Sequence, residues 1–363
     1  MKELTSLSNP IFLGEIKQEA IDLLKKLISI PSFSKEENFT ADWIEHSLQQ
    51  KKIETFRQGN NVWVRNKFYN PNLPTILLNS HHDTVKPNSG YTLNPFEPIE
   101  NEKKLFGLGS NDAGGALVSL MYAFVFFYQM ENLKYNIIFA ATAEEENSGD
   151  SGVASILEKL GNIDFAIVGE PTEMNLAIAE KGLLVIDCVA KGTSSHAAHN
   201  NLDNAIINAM KDIEWFNSFK YPKKSDLLGD VKMSVTMIKS GILHNIIPDQ
   251  CEFTVDIRTT EVYSNREVIE IVRGNISSEI KERSLRLNPS SIDIHHPFVK
   301  AGIHLGKSTY GSPTTSDMAV MNFPSVKIGP GNSLRSHSSD EFIFIDEVNE
   351  GIELYIKMLL QII

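Results

Sequence analysis

The sequence predicts an α/β protein in which a larger domain, built on a mixed, largely parallel sheet, is interrupted by a smaller α+β domain. Three observations predict it. Before residue 179, short runs that are apolar on both faces alternate with helical stretches, the texture of strands buried inside an α/β layer. From there the order becomes strand, helix, strand, strand, helix, close to a split βαβ arrangement. Towards the end the first texture returns. The expected organisation is 1–178, 179–293 and 294–363, with the first and last segments forming one domain.

The elements follow in order. Glu15–Ile28 carries apolar residues at helical spacing, and Ile30-Pro31 closes it because a residue before proline avoids the helical region. A second helix is expected at Glu37–Gln49. Val62–Val64, Thr75–Leu78, Asn136–Ala141 and Phe165–Val168 are too short for helices and rich in β-branched or aromatic residues, so they read as strands. Ala113–Met130 is uncharged, but its apolar part falls short of the roughly 20 residues that span a bilayer, and it reads as a buried helix. In the insert, Leu183–Ala190, Val231–Ile238 and Cys251–Ile257 read as strands. Ala205–Phe219 and Arg266–Ile280 read as helices, and Leu285–Ile292 as an edge strand. A strand at Ser325–Ile328 and a helix at Asp346–Gln361 close the chain.

Composition narrows the function. With 34 Lys+Arg against 46 Asp+Glu the net charge is −12, and no long basic block is present, so nucleic acid is not an expected partner. The two cysteines, Cys188 and Cys251, make neither a disulfide framework nor a thiolate metal site. MKELTSLSNP at the N-terminus has an early acid and no apolar stretch, unlike a secretory signal. A cytoplasmic protein with no membrane partner is expected.

Several predicted strands run into His, Asp or Glu. Thr75–Leu78 leads to His81-His82-Asp83, Asn136–Ala141 to Glu144-Glu145-Glu146, Phe165–Val168 to Glu170, and Ser325–Ile328 through Gly329-Pro330-Gly331 to His337 and Asp340-Glu341. The carboxyl ends of strands in an open α/β sheet line the crevice where ligands bind. Imidazoles and carboxylates gathered there would repel one another without a cation, and nitrogen plus oxygen donors suit zinc, or cobalt and manganese less selectively. Taken singly, each residue also has a plain structural reading, Asp112 as turn chemistry and the Glu144–Glu146 run as a solvated turn.

SHHDTV at Ser80–Val85, GLGSNDAGG at Gly107–Gly115, AEEE at Ala143–Glu146, GEPT at Gly169–Thr172 and SHSSDE at Ser336–Glu341 occur in this order. Together they resemble the two-zinc metallopeptidase and deacylase family that contains acetylornithine deacetylase, succinyl-diaminopimelate desuccinylase, aminoacylase and tripeptidase. The resemblance implies a zinc-exopeptidase-like catalytic domain and an inserted ferredoxin-like dimerisation domain. It implies two zinc ions (cobalt or manganese as substitutes), with His81 and Glu170 on one, Glu146 and His337 on the other, and Asp112 bridging. Asp83 is then the carboxylate that orients His81, and Glu145 the general base. His196, in GTSSH, is implied to cross to the partner subunit's site as an oxyanion donor; alternatively it is a structural residue at a strand end. Asn245 and Arg258 are implied to bind a substrate carboxylate, and Gly331 to present a backbone N–H; an Arg258–Asp256 pairing is the alternative. Two positions depart from the family pattern, Ala113-Gly114 after the bridging Asp112, and Glu144 in place of an aspartate.

The first reading is therefore a homodimeric amide hydrolase acting on a small N-acyl amino acid, acetylornithine deacetylase-like, in arginine or lysine biosynthesis. A desuccinylase or a di- or tripeptidase are the alternatives on the same scaffold. A catalytically silent binding scaffold is the reading from outside enzymology.

Overall fold

The computed structural model describes residues 10–363; the reading of the N-terminal segment as no secretory signal concerns residues 1–9, outside the described residues. The chain separates into two compact units. One comprises residues 10–178, 292–310 and 321–363, the other 179–291 and 311–320. The segment 311–320, assigned from sequence to the larger domain, packs with the smaller unit. Its Thr315 hydroxyl donates to the Lys181 carbonyl at 3.0 Å, and the Ser316 N–H and hydroxyl both donate to the Glu180 carboxylate.

The larger unit is a mixed sheet. Its order is Thr55–Gln58, Asn61–Arg65, Asn136–Thr142, Thr75–His81, Phe165–Val168, Ser325–Lys327, Leu176–Glu180. The pairings from Asn136–Thr142 to Ser325–Lys327 are parallel, and those outside them antiparallel. Asn136–Thr142, Thr75–His81 and Phe165–Val168 are buried throughout, which is why these runs are apolar on both faces instead of alternating.

The uncharged segment reads out as the helix Gly115–Phe127, buried at every position but Val125. It packs against the helices Pro10–Ile28 and Ile345–Leu359 and against the Thr75–His81 strand. A helix wrapped this way needs no polar face. No helix among the described residues is long and apolar enough to cross a membrane. Its start is closely packed at Gly114. A Cβ on Gly114 would lie 2.4 Å from the Gly109 carbonyl oxygen and 2.7 Å from Leu24 Cδ1, so only glycine fits there.

The smaller unit is a four-stranded antiparallel sheet ordered Lys232–Ser240, Gln250–Thr259, Gly182–Lys191, Glu279–Glu282. The helices Ala205–Ser218 and Asn265–Arg273 accompany it, and Leu184, Ile186, Phe253, Val255, Val268 and Val272 lie in its core. Two expectations fail here. The helix expected over Arg266–Ile280 ends at Arg273, capped at Gly274. The Asp212 carboxylate then takes the Ser277 and Ser278 N–H groups at 3.2 and 2.9 Å, turning the chain into the edge strand Glu279–Glu282. The edge strand expected at Leu285–Ile292 is reduced to Ser290–Ser291, because Leu287 and its neighbours spend their backbone groups on Leu183 and Asn265.

Candidate metal centre and active site

The four neighbouring parallel strands end on one edge of the sheet, and the larger unit gathers seven of the predicted residues there or beside it. His81 is the last residue of its strand, paired in register with Thr142. Glu145 and Glu146 stand in the turn that follows Thr142, and Glu170 follows Phe165–Val168 through Gly169. Asp112 lies in the irregular turn before the buried helix. His337 comes after the turn Ser333–Arg335, with a left-handed backbone, φ +58.

Two groups of potential ligand atoms result, His81, Asp112 and Glu170 in one and Asp112, Glu146 and His337 in the other, each set within 4.8 Å of one another. Asp112 belongs to both. His81 Nε2 lies 3.3 Å from Asp112 Oδ1, 3.6 Å from Glu170 Oε1 and 3.9 Å from Glu145 Oε2. His337 Nε2 lies 3.0 Å from Glu146 Oε2 and 3.7 Å from Asp112 Oδ2.

The protonation pattern tests whether cations suit the place. His81 Nδ1 faces the carbonyl oxygen of Asp83 at 3.0 Å, which places its proton on that nitrogen. The buried Nε2 is left with no hydrogen-bond partner among carboxylate oxygens, where it must either carry a second proton or meet a cation. A divalent ion between them resolves that conflict, and imidazole with carboxylate is a donor set that zinc accepts. Without one the acids compete for protons. Burial, aided by the neighbouring charge of Asp112, pushes Glu170 up to about 8. Burial also raises Glu146, while the hydrogen bond from His337 opposes it. His337 in turn is raised to about 9, chiefly by that hydrogen bond. Burial alone would lower His81 and raise Asp112, yet their contact with each other reverses both shifts.

Three features escaped sequence reasoning. Asp83 holds His81 mainly through its backbone carbonyl, its Oδ1 standing 3.4 Å from Nδ1. The carboxylate itself accepts the N–H groups of Glu145 and Glu146 at 3.0 and 3.1 Å and the Ser34 hydroxyl at 2.7 Å. Burial would raise Asp83, but the bond and charge of His81 and the Ser34 hydroxyl keep it below its ordinary value. Glu341, buried and quoted only as the end of a motif, accepts the N–H groups of Gly109, Asn111 and Asp112 at 3.2, 2.8 and 2.9 Å and so shapes the Asp112 turn. Its carboxyl is raised to about 8 by burial and by Asp112. Glu37, buried and accepting the Glu144 N–H, is the third. No local pattern marks these roles; only the repeated acids at strand ends gave a signal.

His196, Asn245 and Arg258 belong to the smaller unit. His196 is exposed in the two-residue strand Ser195–His196, which pairs with Ile246–Ile247, and its Nδ1 accepts the Ala198 N–H. Asn245 is exposed, with its carbonyl taken by the Ala197 N–H at 2.9 Å. Arg258 forks onto Asp256, Nε to Oδ1 at 2.8 Å and Nη2 to Oδ2 at 3.0 Å, the alternative pairing that the sequence left open. Gly331, in the larger unit, has φ +92, and a Cβ there would lie 2.5 Å from Asn111 Oδ1. Its carbonyl accepts the Glu173 N–H at 2.7 Å.

Peptidase family M20/M25/M40 matches residues 77–361, which span the strand ends, the insert and the closing helix. The chain belongs to that family. It is a hydrolase of amide bonds by that membership. It is similar to the [LysW]-lysine/[LysW]-ornithine hydrolase of Saccharolobus solfataricus, 29% identical over 359 residues and covering 94% of this chain and 95% of the relative. The protein of the same description from Sulfurisphaera tokodaii is 27% identical over 347 residues, covering 93% of each chain. Among solved structures, a dinuclear metal-binding M20 peptidase from Bacillus subtilis superposes with a TM-score of 0.72 at 17% identity, covering 96% of this chain and 98% of the other. That likeness establishes a shared fold.

Proposed function

We propose that this M20 chain is a two-metal amide hydrolase that releases a basic amino acid, ornithine or lysine, from an N-acyl conjugate. The observation that carries the two-metal part is the pair of ligand groups joined at Asp112, with the unpartnered His81 Nε2 in the first of them. His81, Asp112 and Glu170 would hold one ion, and Asp112, Glu146 and His337 the other, with zinc as the expected metal and cobalt or manganese as substitutes. Bound there, two such ions supply polarisation of the scissile carbonyl and a water acidic enough to be deprotonated near neutral pH.

The rest falls to the chain's own side chains. Glu145, whose Oε2 lies 3.9 Å from His81 Nε2, takes the proton of the attacking water and returns it to the leaving amine. Asp83 keeps the His81 proton on Nδ1 through its carbonyl and steadies Glu145 through its carboxylate. His196 supplies a donor for the oxyanion from the partner subunit. Arg258, turned to Asp256 through Nε and Nη2, has Nη1 on the Thr315 hydroxyl at 3.5 Å and would offer the second N–H of that nitrogen to a substrate carboxylate, and Asn245 and the Gly331 backbone would fix its orientation.

Release of a basic amino acid is supported by the relatives, which are described as hydrolases of [LysW]-lysine and [LysW]-ornithine. Turnover of [LysW]-ornithine, acetylornithine, succinyl-diaminopimelate and simple dipeptides, ranked by kcat/KM, tests it. Ornithine conjugates leading the ranking is the expected result, and dipeptides leading overturns it.

We also propose a homodimer formed by the smaller unit, residues 179–293 in the domain scheme above. The edge strand Lys232–Ser240 exposes Met237 and Ile238, and the helix Ala205–Ser218 exposes Ile207 and Met210. Unpaired edges and apolar faces of this kind are covered in stable proteins. Light scattering should give twice the chain mass of 40.6 kDa, and a monomer overturns this. The two free, buried thiols accord with a reducing, cytoplasmic setting.

A further inference from the structure

Glu37 has no place among the metal-ligand groups, yet its side chain is fully buried. A buried carboxylate persists when its oxygens are supplied with donors, and here every donor can be named. Oε1 accepts the N–H of Lys35 at 2.6 Å and that of Glu144 at 3.2 Å. Oε2 accepts Asn60 Nδ2 at 2.8 Å.

The Glu144 contact is the one with consequences. Three successive amides, those of Glu144, Glu145 and Glu146, end on two buried carboxylates. Glu37 takes the first and Asp83 the other two. Glu144 itself has φ +57, a conformation that a residue with a Cβ adopts at a cost and keeps only when its surroundings hold it. The turn carrying Glu145 is thus gripped from both sides, by Asp83 at the strand end and by Glu37 just before the helix Asn38–Gln50.

Glu37 is in turn braced. Asn60, its partner, accepts His82 Nε2–H on its carbonyl at 2.8 Å, and His82 Nδ1 accepts the Thr40 hydroxyl at 2.9 Å. The His82 backbone N–H reaches the Thr142 carbonyl at 2.9 Å, one residue before the turn. His82 therefore ties the two strand ends to the start of the helix, and Glu37 passes that rigidity to Glu144.

We propose that Glu37 is a positioning residue for hydrolysis. It holds the Glu144 peptide so that the Glu145 carboxylate stays aimed at the attacking water. The inference rests on the reading of Glu145 as the base. It assigns Glu37 no contact with substrate or metal, so its loss should change kcat and leave KM and metal content alone.

The experiment uses the full metal-loaded chain and the fastest substrate of the panel above. Glu37→Ala and Glu37→Asp, which removes or shortens the acceptor, should lower kcat roughly 10–100-fold at parental KM and parental metal per chain, whereas Glu37→Gln, which keeps Oε1 for the Glu144 N–H and can donate Nε2–H to the Asn60 amide oxygen once that amide turns over, should stay within about threefold. Hydrogen–deuterium exchange over residues 143–149 should quicken in the Ala and Asp variants and not in the Gln variant. Glu37→Ala added to Glu145→Ala should slow the reaction no further. Should Glu37→Ala fail to fold, the Asp and Gln pair carries the same contrast. A parental kcat in the Ala or Asp variant overturns the proposal, as does a loss that tracks missing metal. Loss of turnover in Glu145→Ala beside normal turnover in Glu37→Ala defeats this inference alone, while normal turnover in Glu145→Ala defeats the base reading beneath it.

Discussion

The Asp83 carboxylate accepts the backbone N–H of Glu145 at 3.0 Å, so the residue that steadies the His81 imidazole also sets the height of the candidate base. One residue, through its carbonyl and its carboxylate, thereby couples the position of a proposed metal ligand to that of the group meant to move the proton. The coupling makes the site sensitive to changes that touch neither ion nor substrate.

Asp83→Ala leaves the Glu145 and Glu146 amides without their acceptor. An unsatisfied buried donor costs about 1–3 kcal/mol, so for the two amides a loss of about 2–6 kcal/mol is expected, with turnover reduced roughly 10–100-fold. Asp83→Asn, which keeps one acceptor oxygen, should fall between parent and alanine. Calorimetric Tm and kcat, measured together, check it.

Glu145→Ala should bind metal as the parent does and lose roughly 10²–10⁴-fold in kcat, the span attributed to a positioned general base. Metal analysis beside steady-state kinetics decides this. Turnover near the parental rate would remove Glu145 from its role.

In the metal-free chain, stability should fall as pH rises. The Glu170 pKa, raised to about 8, means that the folded state keeps a proton which the unfolded chain releases in the ordinary carboxylate range, so folding is penalised progressively up to about 8. His337, raised to about 9, contributes stability that is complete below the ordinary histidine value and lost as pH climbs through about 9. Both act in one direction. Thermal unfolding in chelator should show Tm declining from about pH 6 to about pH 9, and added zinc should raise Tm more at the alkaline end, because ligands bind deprotonated. A Tm that rises across this range contradicts the protonation pattern.

Glu341→Ala should weaken metal binding roughly 10–100-fold while the fold survives, since the Gly109, Asn111 and Asp112 amides lose the carboxylate that shapes the bridging turn. Glu341→Gln keeps Oε1 for Asn111 and Asp112 and should bind nearly as the parent. Competition against a chromophoric chelator measures both.

Much of the architecture was legible in the sequence, because burial leaves a local record. Ile76–Leu78 and Ile137–Ala141 are apolar at every position since helices and sheet cover both faces, and the uncharged Ala113–Met130 announced a helix with no exposed side. Acids and histidines at the ends of those runs announced a cation site, because parallel strands deliver their carboxyl ends to one edge. What the linear order could not carry was which distant groups share a hydrogen bond. Glu37 meets Glu144, Asp212 ends the Asn265–Arg273 helix region at Ser277 and Ser278, and Glu341 closes on Asp112, each across scores of residues and with no periodic signature. Propensity and hydropathy register how one stretch of chain faces water. The pairing of a buried carboxylate with a backbone amide depends on where two stretches cross, and that is settled only when the whole core has packed.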